Sequence, residues 1–160
     1  MRGRRWVLRF VCAILLLSVL GGCNAASERQ KLLYNDEAEL IQGGDTYSYV
    51  NRNGTMSNEG SALSFSAFYG METIWIIHAS AKGKLTFHHR QEVDRGKFKV
   101  VAIGPDNEVT TLAEGDSEGK IELKVDQGTY RIKVVGHGAK GRMNTAIETE
   151  SRIRVTAATR

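Results

Sequence analysis

Residues 120–135 read KIELKVDQGTYRIKVV. Ile121, Leu123 and Val125 alternate with Lys120, Glu122 and Lys124; after Asp126-Gln127-Gly128, Tyr130, Ile132 and Val134 alternate with Thr129, Arg131 and Lys133. A period of two places the apolar set on one face of a strand and the charged set on the other. The three-residue connection ends in Gly, which supplies the left-handed position a short hairpin requires. The stretch therefore predicts two half-buried antiparallel strands joined as a hairpin.

The same period recurs outward along the chain, at Thr46–Asn51, Leu63–Tyr69, Glu72–Ser80, Lys84–His89, Lys97–Ile103, Val109–Ala113, Met143–Thr149 and Arg152–Thr156. About ten short strands at this spacing predict an all-β fold, a single antiparallel β-sandwich over residues 45–160. Residues 73–79 are apolar at odd and even positions alike, which suits a central strand covered on both sides. Pro105-Asp106-Asn107-Glu108 reads as a turn, since Pro presets φ and Asp or Asn tolerates the positions that follow.

The N-terminus is of another kind. Arg2, Arg4, Arg5 and Arg9 precede an apolar run from Phe10 to Leu20, the pattern of a secretion signal. The run is far shorter than the roughly 20 residues a membrane-crossing helix needs. It ends in Leu20-Gly21-Gly22-Cys23, and on these four residues the sequence resembles bacterial lipoproteins. The resemblance implies a signal peptide over residues 1–22, a diacylglycerol thioether on Cys23, and a mature chain held on the extracytoplasmic side of the cell membrane. Residues 23–44 are polar and close on Gly43-Gly44, and read as a lipidated tether with at most a short helix, capped by Ser27 and striped by Leu32, Leu33, Leu40 and Ile41.

Composition narrows the function. The 160-residue chain has a formal net charge of +4, but without its four signal arginines it keeps 18 Lys and Arg against 18 Asp and Glu. A balanced mature chain argues against a nucleic-acid partner. Cys12 leaves with the signal and Cys23 carries lipid, so the domain is expected to form no disulfide or thiol chemistry.

A second resemblance, to small lipoproteins of Gram-positive bacteria with a compact β-sandwich, rests on Phe68-Tyr69-Gly70-Met71-Glu72-Thr73-Ile74-Trp75, Gly96-Lys97-Phe98-Lys99-Val100-Val101, Gly128–Gly136, and Ala139-Lys140-Gly141. It implies a fold and a location, and assigns no ligand or catalytic residue.

No motif names a reaction. Gly136-His137-Gly138-Ala139-Lys140-Gly141 matches the dinucleotide-binding glycine pattern, but it lacks the buried parallel strand before it and the helix after it, and reads as a glycine-rich bulge or loop. His88 and His89 are neighbours on a strand and project to opposite faces, so no preformed zinc site is expected. Acidic residues at 106–108 and 114–118 offer oxygen ligands, but not in the spacing of a calcium loop. No catalytic residue, metal or cofactor is assigned.

The candidate ligand-binding residues are Tyr47 and Tyr49, which share a strand face, Trp75, whose ring can stack on a sugar or peptide, and the basic stripe Lys120, Lys124, Arg131 and Lys133 on the wet side of the expected hairpin. The sequence thus points to a non-catalytic binding or interaction module on a lipid anchor, its partner a cell-wall polymer, a carbohydrate or an envelope protein. The alternative is an accessory subunit or inhibitor of an envelope enzyme, engaging its partner through a long uncharged edge strand.

Overall fold

The computed structural model describes residues 26–158; the expected signal peptide and Cys23 lie outside them. Three long strands form the frame: β3 (Gly60–Ala79), β4 (Gly83–Ile103) and β7 (Gly128–Thr149). β7 lies between the other two and is antiparallel to both. The outer flank of β3 is paired in succession by β2 (Asn51–Met56), β1 (Thr46–Ser48) and β8 (Ile153–Ala157). The outer flank of β4 is paired by β6 (Ser117–Val125) and β5 (Val109–Glu114).

All eight strands make one antiparallel sheet, and it becomes a sandwich because the three long strands bend at one level. Register shifts fall between Phe65 and Phe68, between Val93 and Lys97, and opposite them in β7. Ala67, Gly96 and Gly138 have φ of 48°, 74° and 61°. Bulges of this kind bend a strand and increase its twist, and here they fold the sheet over onto itself. The first layer holds β2, β6 and the halves of β3, β4 and β7 around residues 60–66, 83–93 and 141–149. The second holds β1, β5, β8 and the remaining halves. Phe65 stacks on Phe98 at 4.5 Å between centroids, and Trp75 meets Phe87 edge-on at 6.4 Å, so the inner faces of both layers share one core.

The expected β-sandwich is present, with different strand bookkeeping. The two strands expected within 63–80 are one, ending at Ala79, and the pairs expected within 84–103 and 129–149 are likewise one strand each. The predicted hairpin 120–135 does not form: β6 pairs with β4, while β7 pairs with β3 and β4. The Asp126-Gln127-Gly128 connection instead crosses from the first layer to the second. Residues 75–79 are central, between β7 and β8. A bulge between Thr73 and Trp75 lets Ile74, Trp75 and Ile77 all join the same core.

The second layer is covered on its outer face too. Ser27 forms a capping box with Gln30 at the start of α1 (Glu28–Leu32). A 3-10 turn (Leu33–Asn35) follows, then α2 (Glu37–Leu40), capped by Asp36. Leu33, Tyr34 and Leu40 are buried against Met71, Val101, Ile103 and Val135. Residues 27–42 are thus part of the folded body rather than a free spacer. Burial of each of these side chains stabilises the docked segment by about 2 kcal/mol before its ordering cost. The segment explains why Val100-Val101-Ala102-Ile103 and Val134-Val135 are apolar on both strand faces.

Candidate functional site

The concavity best placed to hold a ligand lies between the layers at the end away from the bends, with a volume of ≈ 240 Å³. Its floor is apolar: Leu85, Leu123 and Val125 from the first layer, Ile77, Ala102 and Ile132 from the second. Its rim comes from the β4–β5 and β6–β7 connections. The first is the turn expected around Pro105, closed by the Gly104 N–H donating to the Glu108 carbonyl at 2.9 Å, with Asn107 in the left-handed region at φ 63°. The second is held by Tyr130, whose hydroxyl accepts from the Asp126 N–H at 2.8 Å. The two connections touch: a Cβ on Gly128 would lie 2.8 Å from Pro105 Cβ.

Asp106, Glu108, Asp126 and Lys124 supply the charge on this rim. Lys82 pairs with Asp126 at 3.2 Å in full exposure to solvent, a contact that contributes little to stability. An apolar floor with a polar rim is the general form of a small-molecule site, in which the floor supplies burial and the rim orientation.

The residues singled out from sequence do not converge. Of the basic stripe, Lys120 is exposed on β6 and Lys124 reaches the cavity rim. Arg131 and Lys133 are not on a wet face, because the N-terminal segment covers it. Arg131 donates to the Ile41 carbonyl at 2.8 Å and to the Gln42 carbonyl at 3.1 Å. Lys133 is fully buried. Its ammonium donates to the Gln42 carbonyl at 3.0 Å and lies 3.3 Å from Asp45 Oδ1, and burial lowers its pKa against the opposing pull of Asp45. Asp45 in turn accepts from the Thr73 N–H at 2.9 Å and hydroxyl at 2.7 Å.

Trp75 is buried in the core, donating its indole N–H to the Ser57 carbonyl at 2.7 Å, and presents no stacking face. Tyr47 is 38% exposed and lies 5.5 Å from the Tyr49 ring. Tyr49 stacks on Phe68 at 4.3 Å and donates its hydroxyl to Glu72 at 2.7 Å. Arg52 pairs with the same buried carboxylate at 2.9 Å. Burial first, and Glu72 second, raise the Tyr49 pKa well above that of a free phenol. Tyr49 therefore belongs to a structural cluster, and Tyr47 alone of the pair faces solvent.

The remaining motifs resolve in the same way. His88 lies on the outer face 3.4 Å from Glu148, and His89 is buried and stacked on Phe87. Glu114 accepts from Tyr34 at 2.8 Å, and Asp116 accepts from the Val93 N–H, so the acids of 114–118 serve separate partners. Among the described residues no three His, Cys, Asp or Glu side chains converge as metal ligands. In the glycine pattern, a Cβ on Gly136 would meet Phe68 at 2.2 Å and one on Gly141 the Glu92 carbonyl at 2.1 Å. Close approach within the bend, not a phosphate, explains those glycines. β6 leaves a nine-residue flank whose Glu118, Lys120, Glu122 and Lys124 are exposed. Such charges discourage strand addition, so the long uncharged edge expected of an enzyme-binding subunit is not found there.

Sequence reasoning missed the cavity because its floor residues obey the alternation of ordinary core. The one available signal was the acidic turn at 106–108, which by itself reads as a solvated loop.

No protein-family model matches the chain, and no curated protein matches it. Among solved structures, it is similar to a mutant of the family 29 carbohydrate-binding module CBM29-2 complexed with mannohexaose, at 14% identity and TM-score 0.35 over 72% of this chain and 82% of that one. It is likewise similar to the C-terminal CBM6 of the laminarinase LamC from Zobellia galactanivorans, at 15% identity and TM-score 0.35 over 71% and 99%. The enzymatically active domain of tailspike protein 4 from bacteriophage CBA120 matches at 8% identity and TM-score 0.40 over 84% of this chain and 21% of that one. At these scores the likeness is one of β architecture alone.

Proposed function

We propose that the protein is a lipoprotein of the cell membrane, anchored on the extracytoplasmic side through lipid on Cys23, and that its β-sandwich is a non-catalytic binding module. The observation that carries the binding role is the cavity between the layers, with its apolar floor and its oxygen-rich rim. At ≈ 240 Å³ it is smaller than the roughly 300–1,000 Å³ of sites that enclose a whole drug-sized molecule. It suits one ring or one terminal group, so the ligand is a sugar residue or the end of a cell-wall polymer rather than an extended length of it.

The anchor is supported by the order of residues at 20–23 and by the oppositely placed site. Along β7, His137 beside Lys31 at the start of the N-terminal segment and Tyr130 at the cavity are seven positions apart, roughly 23 Å at strand rise. A chain tethered at its N-terminus thus presents the cavity away from the tether.

The test is an amide-shift titration of the isotopically labelled protein with wall fragments and simple sugars, alongside a Thr110→Trp variant that fills the cavity. The expected result is a set of shifts confined to residues 104–110 and 123–132, absent in Thr110→Trp. Shifts confined to the outer face of the first layer, or binding untouched by Thr110→Trp, would refute the assignment.

A further inference from the structure

We infer that the bent end of the sandwich is a membrane-contact surface that rests on anionic lipid headgroups. The inference builds on the lipoprotein reading. Cys23 precedes Ala26 by three residues, a reach of about 10 Å at full extension, and α1 begins at Glu28. Lys31 offers its carbonyl to His137 Nδ1 at 2.8 Å, and Gln30 contacts Thr46 at 3.4 Å. The N-terminal segment is therefore pinned beside the bend before it runs along β7 toward Arg131. A lipid on Cys23 leaves too little chain to lift that end clear of the bilayer.

What this end presents fits such a surface. Val50, 71% exposed, lies in a shallow depression with Ala67, Tyr69, Arg95, Gly138 and Lys140. Leu32, 72% exposed, follows the residue that holds His137. These are the two most exposed large apolar side chains among the described residues. Around them stand Arg95, Lys97 and Lys140, all exposed. Lys140 lies 3.8 Å from Asp94, whereas Arg95 and Lys97 have no carboxylate partner within 4 Å among the described residues. The Lys97 ammonium also lies 5.9 Å from the centroid of the Tyr34 ring. Apolar tips flanked by exposed cations suit the boundary between headgroups and acyl chains, where the tips enter the apolar layer and the cations meet phosphate. The acid-rimmed cavity at the other end carries the opposite character.

The contact is testable on the full chain, expressed in a bacterium that processes lipoproteins and reconstituted into phosphatidylcholine vesicles with or without phosphatidylglycerol. Nitroxides are placed at Val50→Cys and, as a control at the cavity rim, at Asp106→Cys. The mass of the chain reports independently whether Cys23 is lipidated. The expected result is that the Val50→Cys label is shielded from a water-soluble nickel relaxant in phosphatidylglycerol vesicles, while the Asp106→Cys label stays accessible. The triple variant R95E/K97E/K140E should remove that shielding without altering lipidation. A lipidated chain whose Val50→Cys label is as accessible as Asp106→Cys overturns the contact surface and leaves the anchor standing. Should the mass show no lipid, the lipoprotein reading fails, and cosedimentation decides the surface. A preference for anionic vesicles that falls about fivefold per lost cation supports it, and equal sedimentation with both vesicle types overturns it.

Discussion

Replacing Lys133 by Met deletes the ammonium and keeps most of the aliphatic stem, so it isolates the charge that ties the N-terminal segment to β7. The substitution removes donors from the Gln42 carbonyl at 3.0 Å and the Gly44 carbonyl at 3.4 Å, and the cation from Asp45 at 3.3 Å. Breaking a buried pair by removing one partner costs about 3–5 kcal/mol. Two features reduce that here. Asp45 is 28% exposed and keeps both bonds from Thr73, and the buried ammonium's own desolvation cost, which depresses its pKa, disappears with it. The expected loss is about 2 kcal/mol. Urea denaturation of the chain from Asn24, in which Trp75 is the sole Trp, gives the global value, and hydrogen exchange locates it. Amides of residues 30–42 should lose protection before those of β3 and β7. A Lys133→Met protein with an unchanged midpoint, or with residues 30–42 as protected as in the parent, would refute the reasoning that the ammonium holds the segment down.

Three further outcomes follow from the packing. Arg52→Met removes the cation beside the Glu72 carboxylate, whose side chain is 4% exposed and which keeps the bond from the Tyr49 hydroxyl, and should cost about 3 kcal/mol in urea denaturation, with Glu72→Gln in the same background restoring part of it. Gly136→Ala drives a methyl into the Phe68 ring and should cost about 1–3 kcal/mol; Phe68→Leu should relieve it, and a neutral Gly136→Ala would show that the ring is not so close. Tyr34 and Tyr49 both have pKa values raised above 10.0, chiefly by burial, so above pH 10 the unfolded chain releases phenolic protons that the folded chain keeps. Stability is then fully supported below pH 10 and falls above it, and Tyr49→Phe should make that fall shallower in an alkaline series of urea melts.

The alternation in residues 120–125 and 129–135 made both strands legible, because a period of two survives whatever the strand pairs with. Pairing was not legible. A three-residue link normally closes a hairpin, but β6 and the first half of β7 belong to different layers, and nothing local distinguishes a crossing from a turn. The long strands were hidden for a related reason: Ala67, Gly96 and Gly138 interrupt the alternation as loops do, although each is a bulge within a continuing strand. Arg131 and Lys133 misled because long cationic side chains on a strand normally face water, and only the docked residues 27–42 turn that face inward. The unbroken apolar stretches at 100–103 and 134–135 carried that information, since a strand with one wet face has no use for them. The cavity is a product of the crossing link and the Pro105 turn meeting in space, and no single segment encodes it.

The layers are laced at both ends. Three bent strands join them at one end, and at the other the short connections at 80–82, 126–127 and 150–152 each carry the chain from one layer to its opposite. Neither layer can peel away alone, so loosening one drags on the backbone of the other and the two layers melt together. One of these crossings, at 126–127, also forms part of the cavity rim. The rim at that crossing is therefore tied to the same backbone that joins the layers, so a ligand bound there as proposed would cost the protein little ordering.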